Sequence, residues 1–152
     1  DARVPNGVVA DAVKSCQLEE FKDYLVVKSE VKYGDSRLDL LLGDCQGQKY
    51  YVEVKSVTLV VDGTARFPDA PTERGARHLN ELIRASSEGN KSAVVFLIQR
   101  EDAIAFSPND ATDPAFGKAL REAGRSGVEI YAYICKVDLH GTKIIKRVPA
   151  LL

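Results

Sequence analysis

Methionine is missing from all 152 residues, position 1 included, so we expect the chain to begin inside a longer gene product or to be a trimmed piece of one. Cysteine is scarce. Cys16, Cys45 and Cys135 are odd in number, widely separated and in no C-x-x-C or other zinc spacing. That pattern argues against a thiolate metal site and reads as reduced thiols in a reducing compartment. No apolar run approaches the roughly 20 residues that a spanning helix needs, and no signal peptide is expected from the opening residues. A cytoplasmic protein with no membrane partner is expected. There is no internal repeat, no low-complexity tract and no linker long enough to separate two domains. A single domain over 1–152 is therefore expected, large enough to bury roughly 68–70% of its unfolded surface without staples. The net charge of −1 argues neither for nor against nucleic acid. A local basic face suffices for a polyanion, and an acidic metal site lowers the total.

What is present reads as an ordered series of elements. Asn6 is an N-cap candidate for a helix over residues 7–15, with Val8, Val9, Ala12 and Val13 on one side. Residues 25–33, 36–43 and 48–57 read as three strands in meander, the last two joined through a loop containing Gly47. Residues 62–71 read as an ordered surface excursion punctuated by Gly and Pro. Thr72 can cap a helix to about Ser87, with Ala76, Leu79, Leu82, Ile83 and Ser86 near helical spacing. The apolar run at 92–99 predicts a strand covered on both faces. Asp113-Pro114 opens a helix to about Arg125, and residues 128–138 and 143–148 predict two closing strands. The order predicts an α/β fold: a mixed sheet of α+β type with helices packed on its faces.

Charged residues inside two of these strands carry the chemistry. Alternation puts Tyr51, Glu53 and Lys55 on one face of their strand, and Arg37, Asp39 and Leu41 on one face of theirs, with Leu38, Leu40 and Leu42 opposite. A hairpin centred on Gln46 sets Asp39 against Glu53, since both lie seven positions away. Directly opposed Cβ atoms are about 4.5–5.5 Å apart, and like charges there destabilise a sheet. A divalent cation gives such a pair a reason to exist. Mg²⁺ takes one or two carboxylates, waters and a phosphate oxygen. It can then polarise a scissile phosphate and activate water, with Lys55 stabilising charge on the phosphate or orienting that water. The alternative is a solvated polar face holding a Glu–Lys pair, set against the expense of embedding charges in runs as apolar as LDLLL and YYVEV.

Longer runs make the pattern more specific. Ser36-Arg37-Leu38-Asp39, Tyr51-Val52-Glu53-Val54-Lys55-Ser56-Val57-Thr58-Leu59 and Phe67-Pro68-Asp69-Ala70-Pro71-Thr72-Glu73-Arg74-Gly75 resemble the sugar fermentation stimulation protein A (SfsA) family. Glu30-Val31-Lys32-Tyr33-Gly34 and Gly127-Val128-Glu129 with Ala132-Tyr133 fit it as well, so the resemblance covers nearly the whole chain. It implies a restriction-endonuclease-like PD-(D/E)xK core, αβββαβ with an additional helix and strands, in a cytosolic DNA-binding protein. The family is named for an effect on sugar metabolism once attributed to transcriptional regulation. The resemblance also implies Mg²⁺ or Mn²⁺ on Asp39, Glu53 and the Val54 backbone carbonyl, with Lys55 assisting hydrolysis. Asp11 stands where an acidic residue of the first helix often completes such a site, a position at which relatives often carry Glu. Leu38 replaces the proline of a literal Pro-Asp, and Gly7 stands where relatives often show Arg. The resemblance further implies an N-terminal OB-like domain in full-length relatives, and this chain is expected to begin after it.

Arg66, Arg74 and Arg77 surround the start of the helix after Thr72. They are candidates for the DNA backbone, or for surface salt bridges to Asp69 and Glu73. Arg37 either touches phosphate or neutralises the acidic pair. His78 reads as a partly exposed helix histidine, with proton transfer as the alternative. Gln99 ends the buried strand, Glu30 reads as a strand-face charge, and Tyr131 and Tyr133 read as core. The sequence thus points to a Mg²⁺- or Mn²⁺-dependent nuclease domain with DNA as its partner. The alternative is a DNA-binding regulator of sugar metabolism that keeps the nuclease fold with little or no cleavage. A homodimer is compatible with either.

Overall fold

The computed structural model describes residues 3–152, with the backbone alone at Arg3. The chain opens with α1 (Arg3–Lys14), a 3-10 turn (Glu19–Phe21), β1 (Leu25–Tyr33), β2 (Ser36–Gly43) and β3 (Lys49–Val57). It continues with β4 (Leu59–Val61), β5 (Thr64–Phe67), α2 (Glu73–Ser87), β6 (Lys91–Ile98) and β7 (Ala105–Pro108). The last elements are α3 (Pro114–Arg125), β8 (Glu129–Asp138) and β9 (Gly141–Val148). Six strands form one mixed sheet in the order β1-β2-β3-β6-β8-β9, parallel from β3 to β8 and antiparallel at both flanks.

The apolar run of β6 explains why this sheet is covered twice. Val94, Phe96 and Ile98 pack with Leu79 and Leu82 of α2 and with Phe116 and Leu120 of α3. Ala93, Val95 and Leu97 face the opposite way and meet Val9 and Val13 of α1. A strand with both faces buried needs no polar alternation, which is what its sequence shows. The mixed α/β architecture with helices on both sheet faces agrees with the expectation. Cys16 and Cys45 are exposed free thiols, Cys135 is a buried one, and no described helix is long and apolar enough to cross a membrane.

Helix starts hold the second layer together. Thr72 accepts from the Gly75 amide at 3.0 Å, and Asp113 accepts from the Phe116 amide at 2.9 Å. The other oxygen of Asp113, a buried side chain, accepts from the Thr72 amide at 2.8 Å, so one carboxylate ties the starts of α2 and α3 together. Removing such a cap typically costs about 1–2 kcal/mol. Asp113→Ala should accordingly lower the urea midpoint of unfolding without changing its slope, and an unchanged midpoint would contradict this role.

Three expectations are corrected here. The first helix begins at Arg3, so Asn6 lies inside it and is not an N-cap. The stretch 62–71 is no mere excursion: β4 and β5 form a hairpin around Asp62-Gly63, both with positive φ, and β5 pairs with β7 in a separate three-stranded sheet. Strands of three and four residues are too short for alternation to register, although Asp-Gly is itself a hairpin signal. Third, Leu38 does not share a face with Leu40 and Leu42. It packs with Leu41 and Tyr51 on the α2–α3 side. The β1–β2 pairs run Ser29 with Leu40 and Val31 with Leu38, and between them Glu30 takes a left-handed φ of 55°. The alternation of β2 is therefore broken across Asp39, and Arg37 is exposed.

Candidate functional site

Hairpin register brings the two carboxylates together. The β2–β3 pairs Leu40–Val52, Leu41–Tyr51, Leu42–Tyr50 and Gly43–Lys49 are all centred on Gln46. One step further lie Asp39 and Glu53, and there side chains replace the ladder. Glu53 Oε1 accepts from the Asp39 amide at 3.2 Å, and the Val54 amide donates to Asp39 Oδ2 at 2.7 Å. Lys55 Nζ lies 3.2 Å from Glu53 Oε2. Asp39, Glu53, Val54 and Lys55 line a cleft of about 240 Å³ that opens between the start of α1 (Pro5, Asn6) and the start of α2 (Thr72, Arg74, His78).

Burial sets the electrostatics. Asp39 is pushed up to about 7, first by burial and then by its hydrogen bond and charge repulsion with Glu53, against donors from Val54 and Asn6. Burial would raise Glu53 as well, but hydrogen bonds with His78 and Asp39 and the charge of Lys55 bring it down to about 2. Glu53 is thus compensated by Lys55 and its hydrogen bonds, whereas Asp39 has no cation beside it among the described residues. Embedding an uncompensated acid beside a second acid is unfavourable unless something cationic joins them. Among the described residues no three His, Cys, Asp or Glu side chains form a cage for an ion. The donor set instead consists of two carboxylates and adjacent backbone in an open cleft. That suits a hard cation that keeps part of its water shell, as Mg²⁺ does.

Other candidates divide clearly. Arg74 lines the cleft, whereas Arg37 and Arg77 are exposed and do not. Arg66 sits half-buried on β5 with its Nε enclosed and unpartnered. Among the described residues none of Arg66, Arg74 and Arg77 is ion-paired with Asp69 or Glu73. Asp11 is exposed on α1 and outside the cleft, so the structure does not bring it to Asp39 and Glu53. Gln99 borders the site at one remove, donating to Ser56 Oγ at 3.0 Å. Tyr133 is buried as expected, and Tyr131 packs half-buried against Phe21.

Two residues of the cleft escaped the sequence reading. His78 is buried rather than partly exposed; its Nδ1 contacts Glu53 Oε2 and lies 2.9 Å from Lys55 Nζ. Its spacing carried the signal, since Gly75, His78, Leu79, Leu82 and Ala85 form the buried stripe of α2. Asn6 donates from Nδ2 to Asp39 Oδ1 at 2.9 Å. Each helix flanking the cleft therefore sends one side chain to one carboxylate.

Comparison with known proteins agrees with the resemblance. The family described as the sugar fermentation stimulation protein RE domain matches residues 3–141. The sugar fermentation stimulation protein homolog of Moorella thermoacetica is 54% identical over 138 residues, covering 91% of this chain and 60% of the relative. The homolog of Thermoanaerobacter pseudethanolicus is 50% identical over 153 residues, covering 100% of this chain and 66% of the relative. The structure of Pyrococcus furiosus SfsA in complex with Ca²⁺ matches with a TM-score of 0.93 at 30% identity, over 100% of this chain and 66% of that one. The chain thus spans about two thirds or less of the length of these relatives. Matched across nearly all of its own length, the chain belongs to the sugar fermentation stimulation protein (SfsA) family.

Proposed function

We propose that this domain is a PD-(D/E)xK-type nuclease unit that hydrolyses DNA phosphodiesters with Mg²⁺ or Mn²⁺. The observation that carries the reading is the convergence of Asp39, Glu53, Val54 and Lys55 on one cleft, with Asp39 left uncompensated by protein charge. Asp39 and Glu53 would hold the cation, with the Val54 carbonyl as a third oxygen donor. When bound, the cation supplies Lewis acidity toward the phosphate and lowers the pKa of coordinated water. The Ca²⁺ in the Pyrococcus furiosus relative supports a site for hard divalent cations.

The chain's own groups account for the rest. Lys55 Nζ, its side chain 14% exposed at the cleft, places a positive charge where phosphate charge develops. Thr72 and Arg74 bring the start of the 15-residue α2 to the same opening, and helix N-termini and arginine forks both favour phosphate oxygens. Exposed Arg77 and half-buried Arg66 extend this basic character toward a DNA backbone, and exposed Arg37 offers a further contact. His78 holds Glu53 from the α2 side and keeps its carboxylate turned toward Lys55.

The cation part of this reading has a direct test. Mn²⁺ at about 100 times its dissociation constant should stabilise the protein by roughly 2.7 kcal/mol, a rise of several degrees in melting temperature. Glu53→Ala should abolish that rise. Equal melting temperatures with and without Mn²⁺ in the wild-type protein would refute cation binding at this site.

A further inference from the structure

Among all side chains of α1, only that of Asn6 reaches one of the two carboxylates through a hydrogen bond among the described residues. Its place in the helix gives it no local purpose. Asparagine is a poor helix former, and its usual value lies in capping, which a residue three positions inside the helix does not provide. Its Nδ2 holds Asp39 Oδ1 at 2.9 Å while the Val54 amide holds Oδ2 at 2.7 Å, so the carboxylate plane is fixed by one donor on each oxygen. Each oxygen keeps a second lone pair for a ligand. An amide donates this hydrogen bond without adding charge of its own to a crowded acidic site.

We propose that Asn6 is a positioning residue for Asp39, through which α1 sets how tightly the carboxylate pair holds a divalent cation. The inference rests on the cation reading above. It replaces the exposed Asp11, a candidate that the family resemblance suggested, with a neutral donor five residues earlier. Donors that orient metal-binding groups are typically worth 10–100-fold in affinity. Asn6 also borders a second pocket of about 250 Å³ lined by Gly7, Ala10, Ser29 and Glu30. The packing of α1 is carried by Val9, Ala10, Ala12 and Val13, so shortening Asn6 leaves it in place.

The test is a Mn²⁺ titration of the full chain, read by loss of the free Mn²⁺ paramagnetic resonance signal. The proteins compared are the wild type, Asn6→Ala, Asn6→Leu and Asp11→Ala. The leucine variant keeps the branched shape and heavy-atom count of asparagine and removes its hydrogen-bonding groups. Expected is one bound Mn²⁺ in the wild type, affinity at least 10-fold weaker in both Asn6 variants, and affinity within about twofold of wild type in Asp11→Ala. Metal-free melting temperatures of the Asn6 variants should stay within a few degrees of wild type. Wild-type affinity in Asn6→Leu, or an equal loss in Asp11→Ala, would overturn the inference while leaving the cation site intact. Loss of Mn²⁺ binding only in proportion to lost folding would overturn it too. A wild-type protein that binds no Mn²⁺ would overturn the cation reading and this inference together.

Discussion

Asp39→Asn should make the metal-free protein more stable than the wild type at pH 8. The Asp39 carboxyl is raised from 3.8 to about 7 in the folded protein, chiefly by burial and then by Glu53. A raised acid favours its protonated form in the fold, so the wild type loses stability as pH rises. The loss begins near the unfolded value and is complete once pH exceeds about 7. A tenfold change in proton affinity is worth about 1.4 kcal/mol, and partial exposure of the side chain reduces the total to about 2–4 kcal/mol. Glu53 works in the opposite sense. Lowered to about 2, it adds stability that is present above its unfolded value and lost only as pH falls toward 2. Between pH 5 and pH 8 its contribution is therefore nearly constant, and the pH dependence belongs to Asp39. Asparagine escapes the burial cost and can still accept from the Val54 amide. Urea unfolding in EDTA should show the gap between variant and wild type widening from pH 5 to pH 8. A gap that is constant, or a less stable variant at pH 8, would contradict the electrostatic account. The gain should come with complete loss of the Mn²⁺-induced rise in melting temperature. Stability released by disabling a site is the usual mark of a functional group held against its own preference.

Lys55→Ala should separate cation binding from chemistry. Lys55 touches Glu53 and His78, and it would compete with a bound cation for the Glu53 carboxylate. Its removal should leave the Mn²⁺-induced stabilisation intact or enlarge it. Its positive charge lines the cleft beside Glu53, and loss of a group that stabilises charge developing on a phosphate typically slows turnover 10²–10³-fold. Single-turnover cleavage of a labelled duplex, with Mn²⁺ affinity measured on the same samples, checks both halves. A fall in rate matched by a fall in Mn²⁺ affinity would assign Lys55 to the binding site instead.

Much of the site was legible because hairpin parity is a strict rule. Once the turn was centred on Gln46, the pairing of Asp39 with Glu53 followed, and the observed register keeps that centre. The rule failed one residue later, at Leu38. The break lies opposite a left-handed residue in the neighbouring strand, Glu30, and nothing in a glutamate announces that conformation. Asn6 was missed because its residue type suits a cap, and the helix in fact starts three residues before it. The burial of His78 was missed because the buried stripe of α2 was anchored on Ala76, whereas it runs through Gly75 and His78. Asp11 failed for the converse reason. Sequence position in a helix resembles a site position only if the helix face is known, and the buried face of α1 runs through Val9, Ala10, Ala12 and Val13. The second sheet stayed hidden because its strands are short, and contacts far apart in sequence assemble it, as when β5 pairs with β7.

The central claim is that this cleft breaks phosphodiester bonds, and strand scission of supercoiled plasmid DNA in Mn²⁺ tests it most directly. The account predicts conversion of supercoiled to nicked circles by the wild type, abolished by EDTA, absent in Glu53→Ala and slowed at least 100-fold in Lys55→Ala. Nicking that persists unchanged in Lys55→Ala would contradict it. So would salt-dependent binding of the plasmid with no scission at any Mn²⁺ concentration, which would make the domain a DNA-holding descendant of a nuclease.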